Sequence, residues 1–385
     1  MKKQVMFLQE FMLNPSGTIS YREATVTSAI NLATKQLMHS NPKLRVIGLG
    51  VNDPKRIFGT TDGLLEEFGE TRVLDFPTSE NAMLGYAIGL AINGIPSITV
   101  HQRFEFFLLA MDQLVNNAAK WFFMFGSKTS VPIVIRVVIG KGWGQGPTHS
   151  QSFHSWLSHI PGLKVAIPHD AQSAYDLLIE AVQDPNPVIF VEHRWIHNQI
   201  GRISIKPPSQ GNSTRLGMRC RKEQIGNPAV TVVSLSFLAS RIKSLYGSFK
   251  RLDIGFDHII LETIKPYDLQ TIVESVRVTG LLLVTDFAPR TNSFAKEVVS
   301  EVVMSSGLLM KKPPKILTNP DVIEPTSFHT TKGLYFDDKE LFCAVLTLLE
   351  IDYRLPSVQA EIHLIQRRLS ETPHDVPDNY FKGPF

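Results

Sequence analysis

The chain has 385 residues, 43% hydrophobic and 19% charged, enough for two or three globular domains with full cores. Its 39 basic and 36 acidic residues leave a formal net charge of only +3 with no run of one sign, which excludes an electrostatic footprint for nucleic acid. Cys220 and Cys343 stand far apart and match no metal-ligand spacing, so a disulfide scaffold and a zinc site are excluded and a reducing, cytoplasmic setting is expected.

Met1 to Leu8 look faintly like a signal peptide, but Gln9 and Glu10 cut the apolar run and no small-residue cleavage site follows. No apolar run is long enough to span a bilayer, so no membrane association is expected. Residues 1–17 read as an N-terminal extension. Ser20-Tyr21-Arg22-Glu23 fits a capping box and predicts a helix towards Ser40, closed by Asn41-Pro42. Strands are predicted at 44–49 and 72–75, then a helix of small residues from Glu80 to Asn93-Gly94. The pattern continues with strand 98–101, helix 107–122, strands 132–138 and 163–167, helix 171–183 and strand 188–192. This alternation predicts an α/β domain over 18–200 with a parallel sheet covered on both faces. Periodicity fails over 201–228, where Pro207, Pro208, Ser209, Gly211, Asn212 and Ser213 mark a linker. A smaller α/β domain is expected over 229–349, with strands at 231–234, 259–261 and 281–284. Residues 350–385 read as a polar tail with Pro356, Pro373, Pro377 and Pro384.

Four places carry candidate chemistry. Gly48-Leu49-Gly50 follows a strand, yet Asp53 stands where a dinucleotide turn needs its third glycine. Gly140, Gly142, Gly144 and Gly146 form a loop that lets backbone approach a ligand, or is simply a flexible connection; it lacks the ending of a P-loop. Glu80 sits at a strand-to-helix junction and His149 just beyond the glycine loop. Both fall at carboxyl ends of strands, where parallel sheets bind ligands. The plainer readings are a carboxylate favoured by a helix N-terminus and a surface histidine.

Several stretches together resemble the beta subunit of the E1 component of pyruvate and branched-chain 2-oxo acid dehydrogenases. They include Gly63-Leu64-Leu65-Glu66-Glu67-Phe68-Gly69, Phe76-Pro77-Thr78-Ser79-Glu80, Met111 to Lys120, His149-Ser150-Gln151, Pro161-Gly162-Leu163-Lys164-Val165 and Asp184-Pro185-Asn186-Pro187. The resemblance runs from about Thr18 to Leu349, order kept. It implies a thiamin pyrimidine-binding domain followed by a transketolase C-terminal-type domain. It further implies that Glu80 hydrogen-bonds the pyrimidine nitrogen of thiamin diphosphate, so that the cofactor's own amino group can take the thiazolium proton. By the same resemblance Phe106 stacks on the pyrimidine, Gln102 belongs to the cofactor site, and His149 orients the substrate carboxylate or moves a proton. Phe106 could instead be core beside Phe104 and Phe107. Neighbouring His154 and His159 are further candidates, and His159 could equally be a core histidine. The resemblance also implies a structural potassium ion at Ile133, Ala181, Val182, Asp184 and Asn186, for which the alternative is an ordinary turn. The chain contains no Gly-Asp-Gly, the motif that holds magnesium on the diphosphate. An alpha-type E1 subunit is expected to supply it in an α2β2 assembly, which would pass an acyl group from a 2-oxo acid to a lipoyl acyltransferase core. Leu49 stands where the family usually has an acid. His101, Gln102, Arg103, Lys141, Trp143 and Gln145 also depart from the family pattern, which leaves the substrate open. A two-chain transketolase-like or acyloin-forming enzyme and a non-catalytic homologue that stabilises a partner stay as alternatives.

Overall fold

A strand that is apolar along its whole length needs cover on both faces, and the first half of the chain supplies it by alternating strands with helices. The computed structural model describes residues 20–205, 215–306, 310–378, 381 and 383. The N-terminal extension, the Pro/Gly-rich part of the expected linker (206–214) and Pro384 lie outside them.

In chain order the first half contains β1 (Ser20–Thr25), α1 (Val26–Ser40), β2 (Arg45–Gly48), β3 (Val73–Asp75), α2 (Glu80–Ile92) and β4 (Ser97–His101). There follow α3 (Phe104–Phe107), β5 (Ile133–Ile139), α4 (His154–His159), β6 (Lys164–Ala166), α5 (Ala171–Gln183), β7 (Val188–His193) and β8 (Ile200–Ile205). The second half adds β9 (Cys220–Ile225), β10 (Pro228–Leu235), α6 (Phe237–Ser244), β11 (Gly255–Leu261), β12 (Thr263–Lys265), α7 (Leu269–Thr279) and β13 (Leu282–Pro289). It closes with α8 (Phe294–Ser306), β14 (Lys315–Asn319), α9 (Asp338–Leu348) and α10 (Pro356–Ser370).

The first sheet has the order β12-β6-β7-β5-β4-β2-β3. Its central strands β4, β5 and β7 are buried at every residue, as two-sided cover requires. All neighbours pair in parallel except β12, which the second half of the chain lends antiparallel to β6. The second sheet runs β14-β13-β10-β11-β9, antiparallel only at β9. The α/β architecture expected from the periodicity is therefore present in both halves.

Three local expectations give way. Ser20 does not cap a helix: residues 20–25 pair with β8 over six positions, and Thr25 caps α1 by accepting from the Ser28 amide. A capping-box pattern is local and loses here to long-range strand pairing. The helix expected over 107–122 breaks into α3, a 3₁₀ turn at Leu108–Ala110 and a π-helical turn at Gln113–Ala118, where Asn117 donates to the Gln113 side chain. Finally, the polar tail contains α10. This helix starts on Pro356 and buries Val358, Ile362 and Ile365 on one stripe. Arg251 clasps Glu361 with two bonds of 2.6 and 2.7 Å, and Arg368 reaches Asp338 at 2.8 Å, so α10 is fastened to the second domain. The expected linker also carries β8 and β9 at its two ends.

Candidate active site

The candidate residues gather at the carboxyl edge of the first sheet, where β3, β2, β4 and β5 lie in that order. At the end of β3 the Asp75 carboxylate accepts from the Gly50 amide at 2.8 Å, tying the β2 and β3 turns together. Four residues on, Ser79 offers no side-chain cap, and α2 begins with Glu80. The helix N-terminus favours the carboxylate electrostatically. Glu80 is only 5% exposed, and among the described residues its carboxylate meets no hydrogen-bond donor and no cation. Its two oxygens do not count among the fully buried atoms that lack a partner, so they keep contact with solvent and a donor from outside the chain could reach them.

Two strand spacings away, about 10 Å, β4 ends in His101, Gln102 and Arg103. His101 is 3% exposed with no partner for Nε2, and burial pulls its pKa down to about 3. Gln102 donates from Nε2 to the Leu49 carbonyl at 3.0 Å, holding the β2 turn against β4. Arg103 is buried, donates from Nη2 to the Gln145 side chain, and has its guanidinium lowered by burial to about 10, still a cation at neutral pH.

In α3 the three phenylalanines divide. Phe104 and Phe107 are fully buried, whereas Phe106 is 39% exposed, so Phe106 is not core. Its ring stands edge-on to His149, centroids 5.3 Å apart. His149 is half-buried; the Thr148 hydroxyl engages Nδ1 at 2.9 Å, which leaves Nε2 for a ligand. Beneath them Glu105 accepts from the Gln151 amide at 2.7 Å, and burial raises its carboxyl.

The glycine loop between β5 and His149 is clamped rather than free. Lys141 is 5% exposed, with Nζ 3.8 Å from the Tyr335 ring centroid and 5.2 and 5.4 Å from those of Trp195 and Phe237. Burial pulls its ammonium down and pushes up the nearby Glu324 carboxyl, to which Tyr335 donates at 2.7 Å. Glu324 and Tyr335 come from the second domain, about 180 residues along the chain, so no local pattern could have paired them with Lys141.

His154 and His159 leave the site. His154 is buried and pairs with Asp286 of β13 at 2.9 Å; His159 is exposed and lines a cleft of about 1160 Å³ between the domains, away from Glu80. Ile133, Ala181, Val182, Asp184 and Asn186 belong to the opposite edge, since Ile133 begins β5 and the others end α5 or follow it. The Asp184 carboxylate is already satisfied by Lys164 Nζ at 2.6 Å, the Leu216 amide at 2.6 Å and two Asn186 donors at 2.8 Å. Only carbonyl oxygens remain there for a cation. Among the described residues no cluster of three or more His, Cys, Asp or Glu could hold a metal, and no helix is long and apolar enough to cross a membrane.

Residues 22–198 match the family model of the transketolase pyrimidine binding domain and residues 221–340 that of the transketolase C-terminal domain. The chain is 32% identical to the pyruvate dehydrogenase E1 component subunit beta of Rhizobium meliloti, covering 83% of this chain and 68% of the relative. It is 31% identical to the mitochondrial beta-2 subunit of Oryza sativa over 79% of this chain and 80% of the relative. With the mitochondrial beta subunit of Saccharomyces cerevisiae it shares 30% identity over 86% and 91%. A solved split-gene transketolase, an inactive beta4 tetramer, superposes with TM-score 0.64 at 17% identity over 85% of this chain and 98% of that one, which speaks to fold.

Proposed function

Because the chain belongs to the family of pyruvate dehydrogenase E1 component beta subunits, we propose that it is the beta-type half of a thiamin-diphosphate-dependent 2-oxo acid dehydrogenase, active with an alpha-type subunit. The observation that carries this is Glu80: a residue 5% exposed, whose carboxylate has no partner among the described residues, at the carboxyl end of a strand. Such a group fits an incoming ring nitrogen. The exposed Phe106 ring two strands away suits a stacked heterocycle.

Thiamin diphosphate, when bound, supplies the nucleophilic carbon that adds to the substrate carbonyl and stores the electrons freed by loss of carbon dioxide. Glu80 would hold a proton at the pyrimidine nitrogen. His149 would present Nε2 to the substrate carboxylate or to the carbonyl oxygen. Gln102 would keep the β2 turn in register with Phe106. Magnesium would be held by the partner chain, since this one has no Gly-Asp-Gly. A potassium ion at Ile133, Ala181, Val182, Asp184 and Asn186 would rely on carbonyl oxygens and serve structure only, at the edge remote from Glu80.

The surface fits a second polypeptide. Phe122, Phe123, Met124 and Phe125 are all exposed, as are Tyr86 of α2 and Leu109 in the turn that packs beside α2. Apolar side chains of this size seldom cluster on a monomer's surface. We take an alpha-type chain as the cover, an α2β2 assembly as the product, and a lipoyl acyltransferase core as the acceptor. The divisions at 18–200 and 229–349 lean on the matched ranges 22–198 and 221–340. Both cysteines are unpaired, with thiols raised by burial and Cys220 pushed up to about 12, which suits a reducing compartment such as the cytoplasm.

Reconstitution with the alpha-type chain tests the reading. We expect carbon dioxide release from a 2-oxo acid that depends on a lipoyl acceptor. Product formed from an aldehyde acceptor alone would move the chain to the carboligases. Full turnover by Glu80→Gln would leave it a non-catalytic partner.

A further inference from the structure

The glycine loop poses a physical problem. Gly140, Gly142, Gly144 and Gly146 all have positive φ, and glycine loses more freedom on ordering than any other residue. Something must hold the loop if His149, three residues beyond it, is to keep one place. The residues after α10 do so. We propose that Asp375 is a positioning residue: together with the described residues His374, Phe381 and Gly383 it acts as a strap that fixes the glycine loop, and with it His149, across the domain boundary.

The contacts are specific. Asp375 is 5% exposed, and its Oδ2 accepts from the Trp143 amide at 2.9 Å. The strap backbone lies so close to Gly142 that a Cβ there would stand 1.8 Å from the Asp375 carbonyl oxygen. Only glycine permits that approach at φ 79°. Further along, Phe381 meets the Trp143 ring edge-on at 5.8 Å, and the Gly383 carbonyl accepts from Arg194 Nη2 at 2.9 Å. The near end of the strap is moored to the second domain, where His374 Nε2 lies 2.9 Å from the Thr331 hydroxyl and its ring packs 4.3 Å from Phe328. Thr326 of the same domain abuts the far end of the loop, its hydroxyl 2.4 Å from where a Cβ on Gly146 would be. The loop is thus gripped at Gly142 and at Gly146, and the Gly146 carbonyl accepts the His149 amide at 3.4 Å. Asp375 touches no candidate cofactor or substrate group; it acts through the loop.

The catalytic arm of this proposal rests on the function proposed above; the structural arm does not. The experiment uses the full chain reconstituted with its alpha-type partner, as Asp375→Ala, Asp375→Asn and Gly142→Ala. Asparagine keeps an oxygen for the Trp143 amide, so it should rescue. In Asp375→Ala we expect hydrogen exchange over 140–149 to quicken about tenfold, and turnover at saturating substrate to fall about tenfold to a hundredfold with KM moving less. Gly142→Ala, which dislodges the strap from the loop side, should give the same signature. Melting temperatures of the two Asp375 variants should coincide. Exchange at Trp143 unchanged in Asp375→Ala, exchange raised equally in Asp375→Asn, or full turnover despite faster exchange would each overturn the proposal. If exchange responds as expected while even the unsubstituted pair turns over no 2-oxo acid, the strap stands and the functional reading falls.

Discussion

The two sheets have the same parallel design, yet their carboxyl edges meet opposite fates. In the first sheet the edge is left open: among the described residues Glu80 has no partner and His149 keeps one nitrogen free, while Phe106 is exposed. In the second sheet the same edge is filled by the first domain. Beyond β10, Phe237 packs tilted against His193 at 4.2 Å; β13 gives Asp286 to His154, and Phe287 packs 4.6 Å from His154 and 5.1 Å from His193. Parallel sheets place their binding crevice at this edge. The comparison teaches that the crevice is an opportunity a domain can decline: the second domain spends it on docking.

The comparison can be broken in four places. Glu80→Gln should lower turnover about 10³-fold, roughly 4 kcal/mol on the barrier, while leaving the urea midpoint unchanged. A destabilised Glu80→Gln would mean that the open edge is structural after all. Asp286→Ala should do the reverse, removing about 3 kcal/mol of stability in urea unfolding with turnover of the folded fraction retained. Acid sharpens the contrast through His101, whose folded pKa of about 3 lies below the unfolded value of about 6.5. Between those values the unfolded chain binds a proton that the native chain refuses. Stability should therefore fall by about 1.4 kcal/mol for each pH unit lost below 6.5, and His101→Gln should remove that share of the slope. The smallest effect belongs to Phe106→Ala, where loss of ring stacking should weaken thiamin diphosphate binding by about 1 kcal/mol, read by titration calorimetry on the reconstituted pair.

How much of this could be read from residues alone depended on distance along the chain. The strands and helices framing Glu80 were legible because their apolar periods and the Asn93-Gly94 stop are local, and the strand-to-helix junction placed Glu80 at a carboxyl edge. That Phe106 leaves the core while Phe104 and Phe107 enter it was not legible, since three aromatics in four positions give no period. Ser20 misled for the converse reason: a local motif was intact, but its backbone pairs with β8, some 180 residues away. The cage around Lys141 and the strap across Gly142 join positions about 180 and 230 apart, and nothing in either segment announces the other. The tail looked featureless because its prolines bracket a helix with a narrow apolar stripe.

The three residues of β12 carry a consequence for how this chain can be handled and how it can evolve. Thr263–Lys265 close the rim of the first sheet, and the Ile167 amide already leans on the Glu262 carbonyl at 2.8 Å. A fragment stopped near residue 200 would leave β6 with a bare row of amides and carbonyls, an invitation to stick to its own copies. The two halves are therefore not interchangeable parts. They should be inherited, expressed and unfolded as one piece.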